Sequence, residues 1–237
     1  MSARVRQAAG FNGAPIGAQR RAVLADRASA GRFARAGLIL AAFAMLGAAA
    51  CSRPGPGADE IRQLLARAGV DRLDQPLILA DLPELGTAAT LLPVGANGDV
   101  VTWQAAGGAQ ISLERGVVVA SRGLGFDLMS ADASATVARL SVPADGGTYE
   151  RFASYLDGEN KTVFLAMVCR MRPGGREVLP LLTSRYEVLR IEETCALPDA
   201  TMTNYYWRQP DGTIRKSRQW VGPGVGYVEI ELLADGR

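Results

Sequence analysis

The sequence contains no histidine. That absence removes Ser-His-Asp and Cys-His catalysis, imidazole metal ligands and histidine general bases. Cysteine is scarce: Cys51, Cys169 and Cys195 are the three in the chain. Without Cys51, which has a separate reading below, two are left, too few for the usual zinc sets. No metal and no cofactor is expected, and any enzyme would have to work with carboxylates, Tyr, Lys or Ser. No apolar run reaches the ~20 residues that span a bilayer as a helix.

What the chain does have is one uncharged stretch, residues 36–50, behind Arg32 and Arg35. A basic flank, a short apolar run and small residues before a cut are the marks of an export signal. Ala48-Ala49-Ala50-Cys51 is similar to a bacterial lipobox, in which the cysteine is acylated and the chain is cut just before it. Ala48 stands where Leu is usual, and Ala48-x-Ala50 also fits an ordinary cleavage site. Lipid on Cys51 leaves Cys169 and Cys195 as a candidate disulfide in an oxidising compartment. A buried free thiol at Cys169 is the equal alternative. Ser52 follows the cysteine; by the sorting rule of enteric bacteria, a residue other than Asp there points to the outer membrane's periplasmic face.

Three segments result: a signal peptide at 1–50, the lipidated cysteine and a tether at 51–58, and one domain at 59–237. Residues 1–35 are long for a leader, so translation is expected to start nearer Val23. Seven of the 26 Lys and Arg and one of the 24 acids lie in 1–50. The remaining 187 residues carry 19 basic and 23 acidic side chains, a net charge near −4. No nucleic-acid partner is expected from that balance. The length suffices for one domain with a sizeable core.

Residues 59–69 predict a short amphipathic helix: Ile61, Leu64, Leu65 and Ala68 share one face, and Gly69 suits its end. From Leu77 onward, short apolar runs alternate with turn signals such as Asn97-Gly98, Arg115-Gly116, Pro173-Gly174-Gly175 and Asp211-Gly212. Twelve runs read as strands: 77–80, 88–92, 100–104, 111–114, 117–121, 135–142, 149–156, 162–170, 186–195, 202–208, 213–221 and 226–233. The predicted fold is all-β, an antiparallel barrel or sandwich. Residues 162–170, apolar on both faces, predict a central strand. Trp103 and Trp207 each precede a glycine turn, an Ile and a Gly-apolar-Gly-aromatic step, which suggests two related halves. Arg122 and Asp127 are expected to pair around Gly123–Gly125.

The candidate binding residues gather near the C-terminus. Trp103, Trp207, Trp220 and Tyr227, with Tyr205 and Tyr206, could stack on sugar rings, or could fill a core or pair across strands. Arg208, Arg215, Lys216 and Arg218 lie among them, and an anionic glycan would suit them. A charged edge strand is the alternative. Glu229 and Glu231 share a strand face and are the carboxylates available to a glycan-processing enzyme.

Residues 102–127 and 205–233 resemble the YjbF/GfcB family. The likeness rests on the Trp before a glycine turn, on Gly123-Leu124-Gly125-Phe126-Asp127, and on Ser217-Arg218-Gln219-Trp220 before Gly222-Pro223-Gly224. The resemblance implies an outer-membrane lipoprotein of capsule and exopolysaccharide secretion or assembly, without catalytic residues. It implies a membrane contact through Cys51, and a polysaccharide or an outer-membrane export protein as partner. A carboxylate enzyme and a structural envelope lipoprotein are the rival functions. Metabolic labelling with palmitate is expected to mark the wild-type chain and to vanish in Cys51→Ala; labelling retained in that variant would overturn the lipid assignment.

Overall fold

The computed structural model describes residues 56–70, 73–144, 146–156, 159 and 161–236. The export signal, Cys51 and Ser52 lie outside the described residues. Helix α1 (Ala58–Ala68) opens the domain, with Asp59 and Glu60 in its first turn and Gly69 closing it at φ 67°. Acids at the start and a left-handed glycine at the end are what the helix dipole and the free carbonyls favour.

Twelve strands follow: β1 (Pro76–Leu82), β2 (Thr87–Asn97), β3 (Val100–Ala105), β4 (Gln110–Glu114), β5 (Val117–Arg122), β6 (Leu128–Ala131), β7 (Thr148–Leu156), β8 (Thr162–Leu181), β9 (Ser184–Ala196), β10 (Thr201–Arg208), β11 (Ile214–Gly222) and β12 (Gly226–Asp235). Sequence neighbours other than β5 and β6 pair antiparallel, and β12 pairs back onto β1. The free edges, β5 and β6, lie side by side without a ladder between them. The sheet is therefore a nearly closed barrel with one seam, where the Leu128 N–H donates to Ser121 Oγ at 2.9 Å. Tight turns set the register. Arg115 and Gly116 both take positive φ, 47° and 90°, the backbone that a two-residue hairpin turn requires.

Three features depart from the sequence reading. Residues 135–142 do not form a strand: Ser134–Ser141 is helix α2. Thr136 and Leu140, one turn apart, are buried on its inner face, and Asp132 accepts from the Ser134 N–H and hydroxyl at its start. Ala, Leu and Arg are strong helix formers, and here the 3.6-residue spacing prevails over the apolar run. The missing strand is β6, only four residues long. Second, Pro173-Gly174-Gly175 is a bulge inside β8 rather than a turn. The chain reverses at Leu182-Thr183 instead, with Leu182 at φ 52°. That Leu packs into the apolar cluster of Ile61, Leu77, Leu79 and Leu233 beneath α1, which holds the unusual backbone in place. Third, β8 is an interior strand but lies third from the β6 edge, and its apolar residues are not all buried: Phe164 is 81% exposed, and Val163 and Val168 are exposed as well. In a barrel every strand turns one face outward, and no second layer lies over this one.

The two tryptophan segments are not equivalent. Between Trp103 and its Gly-x-Gly step lie two strands, β4 and β5; between Trp207 and its own lies β11 alone. Trp103 is buried in the main apolar core while Trp207 is half-exposed. Their glycines differ too: a Cβ on Gly125 would meet nothing within 4 Å, whereas Gly224 is a point of close approach. A Cβ on Gly224 would fall 2.0 Å from the Phe126 ring, so the β11–β12 turn and the β5–β6 turn can touch only through that glycine.

Inside the barrel the apolar core surrounds one carboxylate. Glu193 is fully buried. Its Oε1 accepts from Thr136 and Tyr149, both at 2.7 Å. Its Oε2 accepts from Arg151 and Asn204, both at 2.8 Å, and from Tyr206 at 3.1 Å. Asn204 Oδ1 passes the network on to the Trp220 N–H, and Tyr206 reaches Gln219, which binds Val118 N–H and the Gly116 carbonyl. Beside it, Cys169 and Cys195 stand opposite each other on β8 and β9 and are joined as a disulfide. Closing that 26-residue loop restricts the unfolded chain by about 3 kcal/mol. These two sulfurs and Glu193 lie within 4.8 Å of one another. The sulfurs are bonded to each other and the carboxylate is saturated, so the trio offers no metal ligand set.

Burial pushes the Glu193 carboxyl up, but Arg151 and the bonds from Asn204, Tyr149 and Thr136 outweigh it and hold it below its ordinary 4.5. Glu193 thus contributes stability that is full above pH 4.5 and is lost as pH falls through the lower folded value. In Glu193→Gln that acid-side loss should flatten, measured by denaturant melts from pH 6 downward. Glu193→Leu strands Arg151 in the core and should lower the unfolding free energy by about 3–5 kcal/mol. Gly224→Ala should cost about 1–3 kcal/mol through the clash with Phe126, read by the same melts.

Candidate functional site

The outer face of β9–β12 carries two adjacent cross-strand rows. Register places Arg190, Trp207, Lys216 and Glu231 side by side on four neighbouring strands. The next row is Glu192, Tyr205, Arg218 and Glu229, extended to Asp81 on β1. Alternation along each strand puts these residues outward, because Asn204, Tyr206, Ser217, Gln219 and Ile230 point in.

Cations and rings interlock on this surface. The Arg190 guanidinium lies 4.6 Å from the Tyr205 ring centre, Lys216 Nζ 5.8 Å from Trp207, and the Arg218 guanidinium 3.5 Å from Tyr227. Trp207 is tied from a second side, its indole N–H donating to Glu177 of the long β8–β9 arm. Tyr205 and Trp207 stand 6.2 Å apart, tilted at 45°. Tyr227 crosses the strip so that its hydroxyl accepts the Thr203 N–H at 3.1 Å.

The charges are balanced. Lys216 lies 3.0 Å from Glu229 and 3.1 Å from Glu231. Burial lowers its affinity for the proton, but Glu231 and Glu229 outweigh that and raise the amine above its ordinary value. Glu231 also receives two bonds from Arg62 of α1, at 3.0 and 3.1 Å, so the helix is fastened to the strip by charge as well as by its apolar face. Asp81 lies near the same group. Burial, together with Glu229 and Glu231, raises its carboxyl against the opposing pull of Arg62. Lys216 is thus compensated by two carboxylates, and Arg218 lies 3.9 Å from Glu229. Glu229 and Glu231 both hold Lys216, so neither is a free acid or base. Charged rows of this kind on the outside also argue against lipid contact for β10–β12, since a cation on a barrel's lipid face costs about 2–4 kcal/mol at mid-bilayer. Among the described residues no helix is long and apolar enough to cross a membrane.

Of the residues singled out from sequence, Tyr205, Trp207, Lys216, Arg218, Tyr227, Glu229 and Glu231 come together here. The others do not join them. Trp103 is buried inside the barrel. Trp220 packs edge-on to Tyr155 at 5.9 Å against the core. Arg208 bonds the carbonyls of Ser141 and Gln209. Arg215 is buried in a two-point ion pair with Asp235, at 2.6 and 2.7 Å, under the Tyr186 ring. Asp127 does order the Gly123–Gly125 turn, but it does so by accepting from Gly123 and Leu124 N–H, with no ion pair to Arg122 among the described residues. Arg190, Glu177 and Arg62 were missed. Arg190 is legible only through register, and the other two arrive from an arm and a helix remote in sequence.

A family model described as "Group 4 capsule polysaccharide lipoprotein gfcB, YjbF" matches residues 43–233 of this chain. The fold is similar to the crystal structure of the hypothetical lipoprotein YmcC from Escherichia coli K12, with a TM-score of 0.62 and 19% identity over 77% of this chain and 97% of that one. An exported protein of YmcC-like fold from Bacteroides fragilis NCTC 9343 aligns at a TM-score of 0.33 and 12% identity, over 68% of this chain and 93% of its own. No curated protein matches the chain.

Proposed function

This chain belongs to the YjbF family, the group 4 capsule polysaccharide lipoproteins, and from that membership we propose that it is a non-catalytic lipoprotein that assists capsule or exopolysaccharide secretion or assembly by holding a glycan segment. It is anchored through lipid on Cys51 to the periplasmic face of the outer membrane. The observation that carries the glycan reading is the pair of outward rows in which Tyr205 and Trp207 alternate with Arg190, Lys216 and Arg218, with the Tyr227 ring against Arg218. Aromatic faces pack on the apolar face of a sugar ring, while flanking guanidinium, ammonium and carboxylate groups exchange hydrogen bonds with its hydroxyls. Trp207 is the ring to bet on, because Glu177 fixes its indole in one orientation before any ligand arrives and a preordered side chain loses less entropy on binding.

A strain lacking the gene should lose surface polysaccharide and recover it with the wild-type chain. Tyr205→Ala with Trp207→Ala should fail to restore it, while melting within a few degrees of wild type, and should weaken binding of the purified polysaccharide by roughly tenfold. Full polysaccharide output from the deletion strain would overturn the role. Loss of an export-protein contact with unchanged glycan binding would move the strip from glycan to protein partner.

A further inference from the structure

Antiparallel neighbours put the turns after odd-numbered strands at one end of the barrel and those after even-numbered strands at the other. Two contacts hold the first set together. The Tyr227 N–H, just past the β11–β12 turn, donates to Glu84 of the β1–β2 turn at 3.2 Å, and Gly224 meets Phe126 of the β5–β6 turn. Helix α1 starts at this same end, because Pro56 shares a shallow hollow with Ala106 and Gly107 of the β3–β4 turn. The opposite end holds α2 and a cavity of about 520 Å³, with Asp99, Arg115, Arg208 and Asp211 at its mouth.

Chain length ties the first end to whatever holds Cys51. Of the three cysteines, Cys169 and Cys195 are joined to each other, which leaves Cys51 as the one a lipoprotein of this family can acylate. Five peptide links run from Cys51 to Pro56, and fully extended they reach about 18 Å. The end where α1 starts therefore stays close to the leaflet that takes up the lipid.

That end carries an uncharged apolar patch beside the seam. Arg151, Ala153 and Tyr155 of β7 and Met167 and Cys169 of β8 are buried, so alternation turns Phe152, Ser154, Phe164 and Ala166 outward. Register sets Phe152 opposite Ala166 and Phe164 opposite Ser154, which makes the two rings diagonal neighbours within reach of each other. Val163 at the start of β8, Met129 on β6 and Phe126 in the β5–β6 turn are exposed next to them. None of these side chains is charged, in contrast to the rows on β9–β12. Large apolar groups exposed together mark an interaction surface. Around the rim, β6–β8 lie two to four strands from β4, about 10–20 Å, a span that the tether matches.

We propose that this patch is a second membrane contact: the barrel leans on the phospholipid leaflet that holds the Cys51 lipid, with Phe126, Met129, Phe152, Val163 and Phe164 entering the boundary between head groups and acyl chains. The contact rests on the acylation of Cys51 proposed above and is independent of the glycan strip. Few side chains are needed, because a short tether keeps the leaflet at high effective concentration and the patch has no charge to desolvate. In this orientation the cavity mouth points away from the membrane, and the ion-paired strip on β10–β12 stays in water.

The test uses the full acylated chain in vesicles of phosphatidylethanolamine and phosphatidylglycerol, part of the lipid being brominated near the top of its acyl chains. Phe164→Trp adds an indole to the patch, and Val142→Trp adds one beside α2 at the opposite end. Both positions are exposed, so both variants should melt as the wild type does. With the wild-type emission subtracted, bromolipid should quench the indole of Phe164→Trp strongly and that of Val142→Trp little, and aqueous iodide should do the reverse. Equal quenching of the two, or stronger bromolipid quenching of Val142→Trp, overturns the docking. A Phe164→Trp indole shielded from both quenchers gives the patch to a second copy or another protein and overturns the lipid contact. Flotation separates the premise from the inference. A wild-type chain that fails to float with the vesicles overturns acylation and docking together, whereas a chain that floats with Phe164→Trp unquenched by bromolipid keeps the anchor and overturns the docked face.

Discussion

One buried carboxylate organises the inside of this barrel. Glu193 draws donors from α2, β7 and β10, and through Asn204 and Tyr206 it is linked to β11 and β5. A charge taken out of water is tolerable only when its partners are complete. Five donors on two oxygens meet that condition, and each donor is thereby confined to one position. The network therefore sets the inward edge of α2 through Thr136. Since α2 also forms part of the cavity mouth, the same carboxylate fixes how far the barrel is filled and where space is left.

The outside follows a different rule. The β8–β9 arm outruns β10, reaches Trp207 through Glu177, and ends in Leu182 packed beneath α1. Helix α1 is held by an apolar face and by Arg62 on Glu231. The helix nearest the proposed anchor and the arm from the middle of the chain thus converge on the β10–β12 face. In partly solvated surroundings such ion pairs contribute little individually; here they interlock with ring contacts, which fixes the geometry of a surface more than it adds stability.

The outer strip and the inner cavity are separate parts of the barrel. The strip is broad and built from rings held by neighbouring cations. The cavity opens at the end of the barrel, with Asp99, Arg115, Arg208 and Asp211 at its mouth and Ile78, Leu113, Ile230 and Leu232 among its lining.

The sequence by itself determined the family, the antiparallel all-β class and most of the strands, because period-two alternation and tight-turn residues are local properties. It also put Trp207, Lys216, Arg218 and Tyr227 into one group, since alternation along β11 and a short turn keep them close. It could not separate Trp103 from Trp207, whose neighbouring residues look alike while one points into the barrel and the other out. It hid α2, because an apolar run of eight residues carries either period. It read Pro173-Gly174-Gly175 as a turn, since a bulge and a turn use the same residues, and gave no sign that Leu182 would reverse the chain, because only packing against α1 and β12 makes that backbone tolerable. Only the tertiary structure decided which acid would be buried. Glu192 and Glu193 are adjacent and chemically identical, and closure of the barrel turns one toward water and the other into the core, where five distant donors meet it.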